Sequence, residues 1–234
     1  MLLAIRANQQ QMSLVLATGL RDQPAHAAEQ AVEQVRYSLP APQETPESEQ
    51  AMLLMLAGGS ESRTALTNAV QTAHTLVGDR CAVVGIAAAS GERTPNASVF
   101  VNEQVTDDGL AVVLLRSSIP LGVGLSSFAP PEATATTDAA QEAARQASTT
   151  LGTAISPAAA FVVMSGSPPS PVSEGTPSEL AHLRAILGHT TPLVGMYGPG
   201  VVVPQPGAGV SSAALWHQQT ALVCTLGKGP TPAR

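Results

Sequence analysis

The sequence predicts an α/β fold: an internally duplicated unit of mixed β-sheet with covering helices, in a pseudo-twofold arrangement. Three observations predict it. Short apolar runs closed by glycine alternate with stretches whose apolar residues recur at helical spacing, as they do in α/β proteins. The order of these elements then returns a second time. The offset between matching positions is also near constant, since Gly85 and Gly195, Leu54 and Met164, and Val112 and Leu222 are each 110 residues apart. Self-similarity at a fixed period is the signature of a repeated structural unit. The 234 residues divide on this basis into a first α/β repeat at 1–117 and a second at 118–234, expected to pack as one compact unit.

The elements of the first copy follow in order. Met12 to Thr18 is a short, mainly apolar strand stopped by Gly19. After Pro24, which a helix tolerates in its first turn, Ala28, Val32, Val35 and Leu39 fall on one helical face, with Glu29 and Glu33 turned outward. The proline-rich, acidic stretch at 40–50 reads as a loop. Ala51 to Ala57 is a continuous apolar run closed by Gly58-Gly59-Ser60, a buried strand. Leu66, Val70, Ala73 and Val77 mark a second helix over 61–77, stopped at Gly78-Asp79. Cys81 to Ile86 is another central strand. Two further strands are expected near Ser98–Val101 and Leu110–Leu115, with Asp107-Asp108-Gly109 as the turn between them.

The second copy repeats the order. Leu121 to Leu125 is its opening strand, and a helix follows at 138–151, where DAAQEAARQA aligns with HAAEQAVEQV. The strand at 160–166 matches the run at 51–57. A helix at 179–187 carries Leu180, Leu183 and Leu187 on one face, and Pro192 to Met196 stands opposite Ala82 to Ile86. The strand–helix–strand–helix–strand opening favours parallel pairing and the tight last turn an antiparallel pair, so a mixed sheet is expected.

Composition narrows the function. Apolar residues make up 44% of the chain, enough for a core, but aromatics are only 3%, too few for a stacking or hot-spot surface. With 17 acidic and 11 basic residues, and Lys228 the only lysine, no window has the basic cluster that a phosphate backbone or an anionic membrane requires. Neither nucleic acid binding nor membrane insertion is therefore expected. Cys81 and Cys224 lie in apolar runs at no metal or redox spacing, which reads as two buried thiols in a reducing compartment. The N-terminal residues lack the pattern of a secretory signal, and a cytoplasmic location is expected.

Chemistry is sparse. The most informative stretch is Gly85-Ile86-Ala87-Ala88-Ala89-Ser90-Gly91-Glu92. It leaves the end of a buried strand, where α/β proteins place ligands, and Ser90 and Glu92 can supply the few polar groups that orient one. A plain turn is the alternative. Its counterpart, Gly195-Met196-Tyr197-Gly198-Pro199-Gly200, keeps glycines but has neither Ser nor Glu. Tyr197 can line a pocket or serve as a structural ring. There is no P-loop lysine, no G-x-G-x-x-G after a strand, no metal-binding histidine spacing and no G-x-S-x-G. No metal or cofactor is expected. His217, beside the single Trp216 and just before the last strand, can line a cleft or pack at an edge. If catalysis occurs, Ser90, Glu92 and His217 are the group to nominate, as in a small-molecule hydrolase.

Four stretches together resemble the FIST family, the sensory domains named for F-box and intracellular signal transduction proteins. They are the helical openings AHAAEQAVEQV and DAAQEAARQA, the strand–loop pair AMLLMLAGGS and AFVVMSGS, the pair AVVGIAAASGE and PLVGMYGPG, and the ending LWHQQTALVCTLG. Carried over by position, the resemblance implies ligand-binding roles for Gly85, Ser90, Gly91 and Glu92, for Gly195 and Gly198, and for His217, Gln219 and Thr220. Gln218 stands where the family has Asn, and Pro199 where it has Glu. The chain is shorter than typical members, so the resemblance implies a compact or truncated form. It implies an intracellular sensor of a small ligand, such as an amino acid or similar metabolite, that passes its signal to a protein partner. A non-catalytic assembly protein is the remaining alternative.

Overall fold

The computed structural model describes residues 10–37, 50–59, 62–79, 81–87, 98–127, 133–152, 155–165, 179–204, 213–217 and 220–228. In chain order the first half runs β1 (Gln10–Thr18), α1 (Pro24–Tyr37), β2 (Gln50–Ala57), α2 (Ser62–Val77), β3 (Cys81–Ala87), β4 (Val99–Val101), β5 (Gln104–Thr106) and β6 (Gly109–Ser117). The second half runs β7 (Leu121–Ser127), α3 (Ala133–Leu151), β8 (Pro157–Ser165), α4 (Glu179–Leu187), β9 (Leu193–Gly198), β10 (Val201–Pro204), β11 (Ala214–His217) and β12 (Thr220–Gly227). A six-stranded sheet has the order β1-β6-β2-β3-β10-β11, and a four-stranded sheet the order β7-β12-β8-β9. The strand order β1-β6-β2-β3 with α1 and α2 matches β7-β12-β8-β9 with α3 and α4, element for element, consistent with internal duplication.

The chain forms two compact units, one of Gln11–Arg116 with Gly198–His217, the other of Met1–Gln10, Ser117–Tyr197 and Gln218–Arg234. In the first, β2 and β3 pair in parallel, Leu53 beside Val83 and Met55 beside Gly85. β10 pairs antiparallel with β3, so this sheet is mixed, though through a pair distant in sequence and not through the tight turn at 107–109. Alternate residues of β2 and β3, among them Leu53, Met55, Cys81 and Val83, join the core formed with the helices. α1 buries Ala27, Ala28, Ala31, Val32 and Val35, and α2 buries Leu66, Ala69, Val70 and Ala73. Glu29 and Glu33 are exposed, as helical periodicity requires.

In the second unit, β12 pairs antiparallel with both β7 and β8. α3 packs on β7 and β12 and buries Ala139, Ala140, Ala143, Ala144 and Ala147. Gly122 and Gly124 make this close approach possible. A Cβ at Gly124 would run into the Ala143 carbonyl oxygen and lie 2.6 Å from the Ala147 nitrogen. Cys81 and Cys224 are buried free thiols, and burial pushes each up to about 12. Among the described residues, no helix is long and apolar enough to cross a membrane.

Three sequence expectations require correction. The strand near 98–101 does not pair with that at 110–115. It pairs with β5, Val99 opposite Thr106 and Val101 opposite Gln104, through a turn in which Asn102 takes a positive φ of 55°. Asparagine tolerates that conformation better than most side chains, and Gln104–Thr106 is too short and polar to stand out as a strand. The Asp107-Asp108 turn instead leads into β6 and is tied to the end of β1. The Gly19 amide donates to the Asp108 carbonyl oxygen at 3.0 Å, and the Arg21 amide to Asp108 Oδ1 at 2.7 Å. The second correction concerns β10 and β11, which periodicity did not reveal and which extend the first sheet from the second half of the chain. The third is Leu180, 43% exposed although its spacing places it with Leu183 and Leu187.

The two kinds of glycine can be distinguished by mutation. Gly124→Ala should lower unfolding free energy by about 3 kcal/mol, because the helix backbone it meets cannot yield. Gly78→Ala has open space around it but keeps a φ of +73°, and should cost about 1 kcal/mol. Urea denaturation of both variants checks the ranking.

Candidate functional site

The four-stranded unit contains a pocket of ≈ 170 Å³ between α4 and the strands β8 and β9. Its wall is mainly apolar, with Val162 and Met164 from β8, Leu180 and Leu183 from α4, and Leu193 and Gly195 from β9. Each position follows from a local periodicity. The i,i+3 spacing puts Leu180 and Leu183 on neighbouring turns of one face, and the two-residue repeat of β9 puts Leu193, Gly195 and Tyr197 on one side of the sheet. Gly195 lets β8 and β9 lie close, since a Cβ there would fall 2.6 Å from the Val162 carbonyl oxygen.

One polar pair interrupts this wall. Tyr197 Oη donates to Glu179 Oε2 at 2.7 Å, joining the end of β9 to the first residue of α4. Burial first, then the hydrogen bond to and negative charge of Glu179, push the Tyr197 phenol well above its ordinary range. A phenol in this setting remains a neutral donor to the carboxylate. An apolar wall with a few fixed polar groups is the usual make-up of a small-molecule site. Glu179 was not among the candidates from sequence. A lone Glu opening a helix normally reads as a dipole partner, and only the fold brings it to Tyr197.

The other candidate residues fall in several places. Gly85 faces α2, with the position of its missing Cβ 2.5 Å from Val70 Cγ2 and 3.1 Å from Leu66 Cδ1, so it serves helix packing. Gly198 closes β9, its Cβ position 3.1 Å from the Ala87 carbonyl oxygen. Ser90, Gly91, Glu92 and Gln219 lie outside the described residues. His217 ends β11 opposite Val201, which in turn stands opposite Ile86 of β3. The neighbouring register aligns Trp216, Val202 and Gly85. Trp216 joins the α2-side core, with the Arg63 guanidinium 5.6 Å from its ring centre. Strand alternation therefore points His217 to the opposite face from α2. Burial lowers the His217 pKa and favours the neutral imidazole. Thr220 is fully buried at the start of β12, its hydroxyl 3.4 Å from that of Ser127. Among the described residues, no group of three or more His, Cys, Asp or Glu is placed to hold a metal ion.

The family model described as the FIST N domain matches residues 2–142, well over half of the chain. No curated protein matches it.

Two titrations probe these groups. Tyr197→Phe should cost about 1 kcal/mol at neutral pH. Because the folded state holds the Tyr197 proton more tightly, its contribution is complete below the unfolded value near pH ~10 and is lost as pH rises toward the higher native value. An alkaline absorbance titration should lose its latest phenolate step in the variant. His217 behaves in the opposite sense. Its stabilising effect is present above about pH 6.5 and is lost as pH falls through the lower native value. Urea midpoints between pH 8 and 5 should fall less in His217→Gln than in the parent chain.

Proposed function

The chain belongs to the FIST family, and we propose that it is an intracellular sensory domain whose α4–β9 pocket binds a small molecule. The family match supplies the sensory class. The single observation that carries the site is the apolar pocket at β9 with the Tyr197–Glu179 pair in its wall. It includes Gly195, which the resemblance marks for ligand binding, and Tyr197, which the sequence offers as a pocket-lining ring. The size suits a metabolite of amino-acid scale rather than a drug-sized ligand, whose sites begin near ~300 Å³. In this reading, ligand contacts with α4 and β9 bias their packing, and the changed population is what a protein partner reads.

The matching strand order and the near-constant offset of about 110 residues support descent of the two halves from one duplicated unit. Among the described residues, the tyrosine–carboxylate pair lies at the central-strand end of the second half alone, which favours a single asymmetric site. The hydrolase reading, with Ser90, Glu92 and His217 acting together, draws support from the neutral imidazole of His217 and its position level with Ile86, one residue before the end of β3. A purely structural role is disfavoured by a pocket beside Gly195, where such a protein would be filled.

A thermal-shift screen of small metabolites on the parent chain, Tyr197→Phe and Glu92→Ala tests the site. A ligand at a hundred times its Kd adds about 2.7 kcal/mol of stability, a readily measured shift. Hits should weaken in Tyr197→Phe and persist in Glu92→Ala. The reverse pattern would move the site to the loop at 88–92.

A further inference from the structure

The pocket's polar equipment is one-sided. Among the described residues, Glu179 is the only charged one in its wall, and no lysine or arginine lines it. The Glu179 carboxylate spends one oxygen on the Tyr197 hydroxyl, and Oε1 has no partner among the described residues. Because the Tyr197 proton is directed at Glu179, the phenol oxygen has lone pairs to offer. A ligand placed here thus meets two acceptors and no cation. An ammonium has three donors and no acceptor, so it can bond Oε1 and Oη and keep its third proton for water. The remaining surface, from Val162, Met164, Leu183 and Leu193, calls for an alkyl or small-ring body.

A carboxylate on the same ligand would be poorly placed. It would lie near the like charge of Glu179 with no positive partner, at a cost in desolvation and repulsion. The chain's net charge of -6 also draws cations toward it and repels anions. The volume of ≈ 170 Å³ equals the liquid space of about six waters, room for about five to eight non-hydrogen atoms.

We propose that the α4–β9 pocket takes a small apolar primary amine, its ammonium held between Glu179 and Tyr197 Oη, in preference to the α-amino acid with the same side chain. This rests on the pocket being the ligand site, as inferred above, and narrows what that site accepts.

Three probes that fit this volume separate the possibilities: 2-methylpropylamine, its neutral analogue 2-methylpropanol, and valine, which is the amine with a carboxylate added. Binding is measured by calorimetry, and location by amide shift changes at Leu183, Gly195 and Tyr197. The amine should bind about tenfold or more tightly than either analogue, with shifts at those three residues. Glu179→Gln, nearly isosteric, should remove that preference by weakening the amine far more than the alcohol. Should the glutamine variant not fold, Tyr197→Phe tests the same ammonium contact. Valine or the alcohol binding as well as the amine, with shifts at the pocket, overturns the amine assignment and leaves the site standing. No shift at these residues with any probe overturns both.

Discussion

How closely the helices can approach the sheets governs the rest of this protein. Around β7 the limit is backbone against backbone, since Gly122 and Gly124 leave no side chain between the strand and the turn of α3 at Ala143–Ala147. The buried face of that helix is alanine at every position from Ala139 to Ala147 that turns inward. The same device recurs in the other unit, where Gly85 receives Val70 and Leu66 and α1 buries Ala27, Ala28 and Ala31. Each small side chain removes little apolar area from water. Dense contact compensates, because dispersion gains accumulate only when atoms sit at van der Waals distance. A core of this kind needs few aromatics, which is why 3% suffices.

The pocket appears where that rule is relaxed. α4 has nine residues and turns Leu183 and Leu187 inward in place of alanines. Larger side chains at a packing contact set a wider spacing between elements. Over β8 and β9 the extra width is not wholly filled, and the Tyr197–Glu179 hydrogen bond spans it at one end. The corresponding place in the first unit, between α2 and β3, is closed by Val70 and Leu66 lying on Gly85. Two modules with one plan thus differ in whether this helix fits flush against its sheet.

Much of this plan was legible from periodicity. The helix faces of α1 and α2, the span of α4 and the buried runs of β2, β3 and β8 all follow from apolar spacing, because each is decided by neighbours within a few residues. What escaped depends on distant partners. Val201–Pro204 is an apolar run of four, too short to be told from a loop, and becomes a strand only because β3 offers it an edge. Leu180 has the spacing of a core residue but lies at the rim of a pocket. Glu179 and Tyr197 are eighteen residues apart and on different elements, so no local pattern links them. The glycines at 85 and 195 look alike in sequence, yet one receives side chains from a helix and the other the backbone of a neighbouring strand.

The hairpin of β10 and β11 has a consequence for how the chain comes to be folded. Its edge partner β3 ends at Ala87, more than a hundred residues before β10 begins at Val201. During synthesis the segments for β1, β2, β3 and β6 emerge well before the strands that complete their sheet. At translation speeds of about 5–20 residues per second, β3 then presents an unpaired, apolar edge for several seconds. Such an edge is a template for pairing with other chains. The late hairpin is therefore a guard as well as a part of the sheet, and nascent chains stalled between Ser117 and Val201 are those most exposed to aggregation or to capture by a chaperone.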